Sequence, residues 1–106
     1  MRFLSLLGLS LIASVVVHAA ESYRVAVVPM GATHQYWKLL HSGALKAEAE
    51  LQAEGVDVKI IWKGPLREDD RDQQVQVVEN FMTQRVSGIV LAPLDNRALV
   101  APVEQA

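Results

Sequence analysis

The stretch Val25-Ala26-Val27-Val28-Pro29-Met30-Gly31-Ala32-Thr33-His34-Gln35-Tyr36-Trp37 decides the fold. It opens as a short, nearly continuous apolar run rich in Val, the pattern of a strand covered on both faces of a parallel sheet. Extended backwards, Tyr23 to Pro29 reads as that strand, and only Arg24 interrupts it at the entry. A short turn with Gly31 and Ala32 follows, and a helix begins near Gln35 with Thr33 as the candidate cap. No capping box accompanies Thr33. Two adjacent rings, Tyr36 and Trp37, therefore stand where a strand hands over to a helix. That is a poor place for ordinary core. It is a good place to grip a ligand, because open α/β sheets bind ligands just beyond the carboxyl ends of their strands.

Working outward, Gln35 to Glu54 reads as a helix with Trp37, Leu40, Ala44, Leu45 and Leu51 on one stripe. Gly55 ends it in a left-handed cap. Gly43 inside it costs about 1 kcal/mol relative to Ala, so close packing on the sheet is its expected reason. Val56 to Lys63 alternates as a second strand with one face partly wet, which suits a sheet edge. Gly64-Pro65 breaks it. Glu68, Asp69 and Asp70 crowd negative charge ahead of a second helix, where the helix dipole favours it. Val75, Val78, Phe81, Met82 and Arg85/Val86 continue at helical spacing until Ser87-Gly88. Gly88 to Leu91 is a third, fully apolar strand. Ala92-Pro93-Leu94-Asp95-Asn96 follows, and Asp95 or Asn96 caps a third helix from Arg97.

The order β-α-β-α-β-α with short connections means an α/β fold with a parallel sheet and right-handed crossovers. An edge-like second strand beside apolar first and third strands fits a three-stranded sheet in the order 2-1-3, flanked by helices. The switch point then lies between strands one and three, whose ends carry Tyr36/Trp37 and Asp95.

Composition narrows the function classes. Arg2 followed by the uncharged apolar run Phe3–Val17, 15 residues long, reads as a secretory leader with cleavage after Ala19. The run is short of the roughly 20 residues that cross a bilayer, so no stable membrane insertion is expected after cleavage. Residues 20–106 then carry nine Lys and Arg against twelve Asp and Glu, a net charge of −3. That argues against a nucleic-acid partner, which wants a basic face. There is no Cys, so no disulfide staples the chain.

An aromatic shelf beside a carboxylate suits a sugar, with the ring against its apolar face and the carboxylate against its hydroxyls. Tyr36 and Trp37 both offer a ring and a polar edge; Trp37 also begins the helix stripe, which favours Tyr36 as the ligand-facing ring. A carboxylate at Asp95 can accept from two adjacent hydroxyls, at roughly 1.5–3 kcal/mol per charged hydrogen bond. Capping competes for the same oxygens, and Asn96 can take over the cap. His34 is either a hydroxyl contact or an exposed turn residue. No metal is implied: His34 and His41 are seven apart with no third ligand at suitable spacing. The acidic run from Glu68 to Asp72 lacks the central Gly and distal Glu of a calcium loop. Trp62 and Lys63 end the second strand at the same rim but on an edge that leans away. No nucleophile elbow, phosphate loop or dinucleotide fingerprint is present, so neither an enzyme nor a cofactor is implied.

Taken together, the leader, Tyr23-Arg24-Val25-Ala26-Val27-Val28, the aromatic pair, Glu54-Gly55-Val56 and Val86-Ser87-Gly88-Ile89-Val90-Leu91-Ala92-Pro93-Leu94-Asp95 resemble the ribose/galactose-type periplasmic sugar-binding proteins. These are the substrate-binding components of ABC importers. Thr33-His34-Gln35-Tyr36-Trp37 and Trp62-Lys63-Gly64-Pro65 resemble one sugar-binding subgroup among them. The resemblance implies a leader over residues 1–19 and, over residues 20–106, part of the N-terminal lobe of a periplasmic-binding-protein type I fold. It implies a periplasmic or secreted location, a small-molecule sugar as ligand, and a membrane permease as partner of the full-length protein. It places Thr33, His34, Tyr36, Trp37, Asp95 and Asn96 at the ligand. Against the family pattern the remaining strands of that lobe, the hinge and the second lobe are missing, so the chain is expected to be an N-terminal fragment or a truncated open reading frame. Rival readings are a sensory module of the same fold feeding a chemoreceptor or sensor kinase, a sugar-responsive repressor, and a small secreted enzyme. The leader in place of a DNA-binding head disfavours the repressor.

Overall fold

The computed structural model describes Ser14 and residues 21–106. The expected leader and its cleavage site lie, apart from Ser14, outside the described residues. The element order is β1 (Ser22–Val28), α1 (Gln35–Ala53), β2 (Asp57–Trp62), α2 (Arg71–Thr83), β3 (Gly88–Leu91) and α3 (Val100–Gln105). The three strands form one parallel sheet in the order β2-β1-β3, as the apolar pattern of the strands requires. Among the described residues no helix is long and apolar enough to cross a membrane.

The register divides the side chains between two faces. Ala26 pairs with Ile61 on one side and Ile89 on the other, and Val28 pairs with Leu91. Strand side chains alternate, so these residues share a face. That face carries the core: Ala26 and Val28 pack with Val77, Val78 and Phe81 of α2 and with Leu99. The opposite face presents Val25, Val27, Ile60, Trp62 and Val90. Here α1 packs mainly on the edge strand β2, and Val25 and Val27 of β1 stay only half-buried. Val90 is 58% exposed as a result.

This one-sided cover corrects the expected helix stripe. Trp37 is the single buried residue of α1, while Leu40, Leu45 and Leu51 are exposed. The helix is seated over an edge strand, so much of its apolar face has no sheet beneath it. Gly43 is corrected for the same reason: a Cβ added there meets nothing within 4 Å. Close packing does not explain this glycine.

Two helix ends follow one motif. After α1, Gly55 takes φ +89 and the amides of Gly55 and Val56 donate to Gln52 and Leu51. After α2, Arg85 takes φ +53 and the amides of Arg85 and Val86 donate to Met82 and Phe81. Both are Schellman caps, the second with arginine in the position where glycine is preferred. So α2 ends at Thr83, four residues before the Ser87-Gly88 stop expected from the sequence. Ser87 serves the sheet instead: its amide donates to the Arg24 carbonyl and its hydroxyl accepts from the Arg24 amide. The last helix is also shorter than expected, starting at Val100 and not Arg97. Pro102 lies in its first turn, where the missing N–H has no intrahelical partner to lose.

Candidate functional site

The site is built from three loops at the carboxyl end of the sheet. The last rung between β1 and β3 is the Ala92 amide donating to the Val28 carbonyl at 3.0 Å. Residues 29–34 and 92–99 therefore leave the sheet side by side, one on each strand of the switch point. The third loop, between β2 and α2, folds over the first. A Cβ on Gly64 would stand 2.8 Å from the Pro29 ring and carbonyl, and one on Gly31 would stand 2.6 Å from Cγ of Glu68. Both approaches need glycine because there is no room for a side chain. The Ala32 amide donates to the Leu66 carbonyl across the same seam.

The first loop sorts its polar and aromatic residues sharply. His34, not Thr33, caps α1: its Nδ1 accepts from the Tyr36 amide at 3.1 Å. That leaves Nε2 as the donor of the neutral ring. Tyr36 is 56% exposed and Trp37 only 9%. The rings meet edge to face with centroids 4.9 Å apart. The Trp37 indole donates to Oε1 of Glu68 at 2.5 Å. Tyr36 is thus the open ring, and Trp37 is the ring committed to the fold. Thr33 and His34 line a shallow groove of about 610 Å³ with Arg67, Glu68 and Asp69.

On the third strand's loop, Asp95 performs two tasks at once. Its Oδ1 accepts from the amides of Arg97 and Ala98, each at 2.7 Å, so it caps the turn ahead of α3. Its Oδ2 lies 3.8 Å from the Arg71 guanidinium. The amides of Ala98 and then Arg97 hold the carboxyl below the usual aspartate value; desolvation opposes them, and the Arg71 charge adds a lesser lowering effect. Asn96 is exposed beside it. Asp95 and Asn96 line a second groove of about 720 Å³ with Ile89, Leu91, Leu99 and Val103, separate from that at Thr33 and His34. The two carboxylate oxygens therefore divide the work, Oδ1 capping the turn and Oδ2 facing Arg71.

The acidic run before α2 is partnered residue by residue. Glu68 holds Trp37, Asp69 holds Arg67, and Asp70 caps α2 through the Gln73 amide. Trp62 is covered by His41, stacked at 4.6 Å with ring planes 11° apart, which gives that mid-helix histidine a packing role. Reading the sequence did not single out Arg71 or Gln74. Gln74 is fully buried, and its side chain reaches both β-strand loops. The signal was available: a glutamine in phase with Val77, Val78 and Phe81 is a polar residue on an apolar stripe.

A parallel sheet in this order with helices on both faces, and with its ligand-capable loops at one end, is shared by several fold families. Residues 25–106 match the family model described as Periplasmic binding protein domain. The chain belongs to this family. A relative in this periplasmic binding protein family is a D-ribose/D-allose-binding protein from Pseudomonas aeruginosa, 30% identical over 92 residues. That alignment covers 85% of the present chain and 28% of the relative. Solved structures agree with the fold. A solute-binding protein of an ABC transporter from Burkholderia multivorans, holding an unknown ligand interpreted as α-D-erythrofuranose, superposes with a TM-score of 0.73 at 28% identity. It is matched over 81% of this chain and 29% of its own. A carbohydrate transporter solute-binding protein from Agrobacterium radiobacter in complex with D-arabinose gives 0.69 at 28% identity, over 82% of this chain and 28% of its own. A glucose-galactose binding protein from Geobacillus stearothermophilus gives 0.52 at 32% identity, over 65% and 22%. The chain spans under a third of the length of these relatives.

Proposed function

We propose that this chain supplies part of the sugar-binding lobe of an extracytoplasmic solute-binding protein that serves an ABC importer. One observation carries the reading: β1 and β3 are adjacent and parallel, so the loop with the exposed Tyr36 and the loop with Asp95 leave the same end of neighbouring strands. The family membership and the sugar-binding relatives support it. Tyr36 stacks on the apolar face of a sugar ring. The Thr33 hydroxyl and the His34 Nε2 offer hydrogen bonds from one groove, and the Asp95 Oδ2 and the Asn96 amide offer them from the neighbouring groove on the other loop. Trp37 acts from beneath, fixing Tyr36 by their edge contact. The complete binding protein then clamps its ligand by hinge closure between two lobes, and this chain corresponds to part of one of them. A micromolar sugar needs about −8 kcal/mol, which contacts from a single lobe do not reach.

The expected binding is therefore weak and local. Titration with D-ribose or D-arabinose at millimolar concentration, followed by amide NMR, shifts residues 33–37 and 95–96. Micromolar sugar produces no thermal shift. Tyr36→Ala removes the response. A millimolar titration that moves no resonance, or moves only residues away from the three loops, overturns the reading.

A further inference from the structure

Beyond the rim residues, we infer that Gln74 is the positioning residue that sets the spacing between the two ligand-bearing loops. Gln74 is the one buried polar side chain among the described residues, fully buried at the fourth residue of α2. A buried amide is tolerated only when its hydrogen bonds are made. Its Nε2 donates to the Pro29 carbonyl at 3.0 Å and to the Ala92 carbonyl at 2.8 Å, and its Oε1 accepts from the Leu94 amide at 2.7 Å. Pro29 and Ala92 are the residues immediately after β1 and β3. One side chain therefore grips both strands at the point where their ladder stops.

The local sequence explains why a side chain is needed there. The ladder's last rung is Ala92 to Val28. The chain on each side then meets a proline, Pro29 and Pro93, and neither has an N–H to continue the rungs. The Pro29 and Ala92 carbonyls share one donor group, the Gln74 amide. It supplies two donors and an acceptor from one planar head. A carboxylate of the same shape supplies no donor when ionised, and a thioether supplies none at all. Tyr36 follows the first gripped residue by one short loop and Asp95 follows Leu94 directly. The distance between these two sugar contacts is thus tied to the head of Gln74. In this respect the inference rests on the sugar-binding reading, but its primary test does not.

Amide NMR of the 106-residue chain compares wild type with Gln74→Glu, Gln74→Met and Val78→Ala. In Gln74→Glu, the resonances of residues 29–31 and 92–94 titrate together, with a midpoint above the ordinary glutamate value because the carboxylate faces two carbonyl oxygens. In Gln74→Met, the Leu94 amide exchanges at least tenfold faster than in wild type relative to the amides of α2. Val78→Ala removes core from the same helix and speeds exchange throughout without singling out Leu94. Titration of one loop alone, or equal behaviour of Gln74→Met and Val78→Ala, overturns the positioning role. The sugar arm is separate: D-ribose perturbation of residues 33–37 is weakened at least tenfold in Gln74→Met and unchanged in Val78→Ala. A wild-type chain that ignores D-ribose counts against the sugar reading, and the loop resonances still decide Gln74.

Discussion

Asp95 commits Oδ1 to the amides of Arg97 and Ala98 and turns Oδ2 toward Arg71. Its folded pKa is lowered, first by the Ala98 amide and then by that of Arg97. The sign of the consequence follows from linkage. A depressed carboxyl contributes stability that is complete above its unfolded value, roughly pH 3.9. That contribution is lost as pH falls through the lower folded value. The stability difference between wild type and Asp95→Ala is therefore flat above about pH 5 and shrinks steadily below about pH 4. Urea unfolding at stepped pH reads it; a difference that persists unchanged into strong acid would contradict the assignment. The ring pair shows the same division between structure and ligand. Trp37 is tied down by Glu68 and Tyr36 is open, although both are aromatic and adjacent. The sequence placed the pair at the strand-to-helix turn. The Glu68 that ties Trp37 down lies 31 positions away, in the acidic run ahead of α2.

At the scale of the elements, two residues sit where the other's type belongs. Gly43 lies mid-helix with nothing near its missing side chain, and Arg85 takes the left-handed cap position. Gly43→Ala is expected to stabilise α1 by about 1 kcal/mol through helix propensity. Arg85→Gly is expected to relieve about 1 kcal/mol of left-handed strain at the end of α2. The double variant adds the two, since the sites are on different helices and share no partner. Thermal and urea midpoints should both rise; a fall for Gly43→Ala would mean that the glycine serves a contact not present here. By contrast, Gly64→Ala drives a Cβ into the Pro29 ring and carbonyl and destabilises the loop seam. Glycines that look alike in sequence are therefore opposite in effect, because only the fold brings another loop against one of them.

For the whole molecule, the two faces of the sheet are unequal. Phe81 is 2% exposed at the centre of the α2 face, while Leu45 is 48% exposed on α1. Phe81→Ala is expected to cost about 3–5 kcal/mol, and Leu45→Ala to stay within about 0.5 kcal/mol. The shift in urea midpoint at unchanged slope measures both. Should Phe81→Ala leave too little folded chain, Phe81→Leu gives the graded loss. Equal effects at the two positions would mean that the α1 face is packed as closely as the α2 face.

The sequence alone determined the order of elements, the parallel sheet with β1 in the middle, and the end at which the loops gather. These follow from apolar periodicity, glycine and proline stops, and the handedness of crossovers, all local or nearly so. Tertiary structure alone decided which helix face is buried, that Glu68 ties Trp37 down, which oxygen of Asp95 caps the turn and which faces Arg71, and that Gln74 joins the two loops. Each of those outcomes depends on groups far apart in the chain meeting at hydrogen-bond or van der Waals distance. Such meetings leave no periodic trace in the sequence.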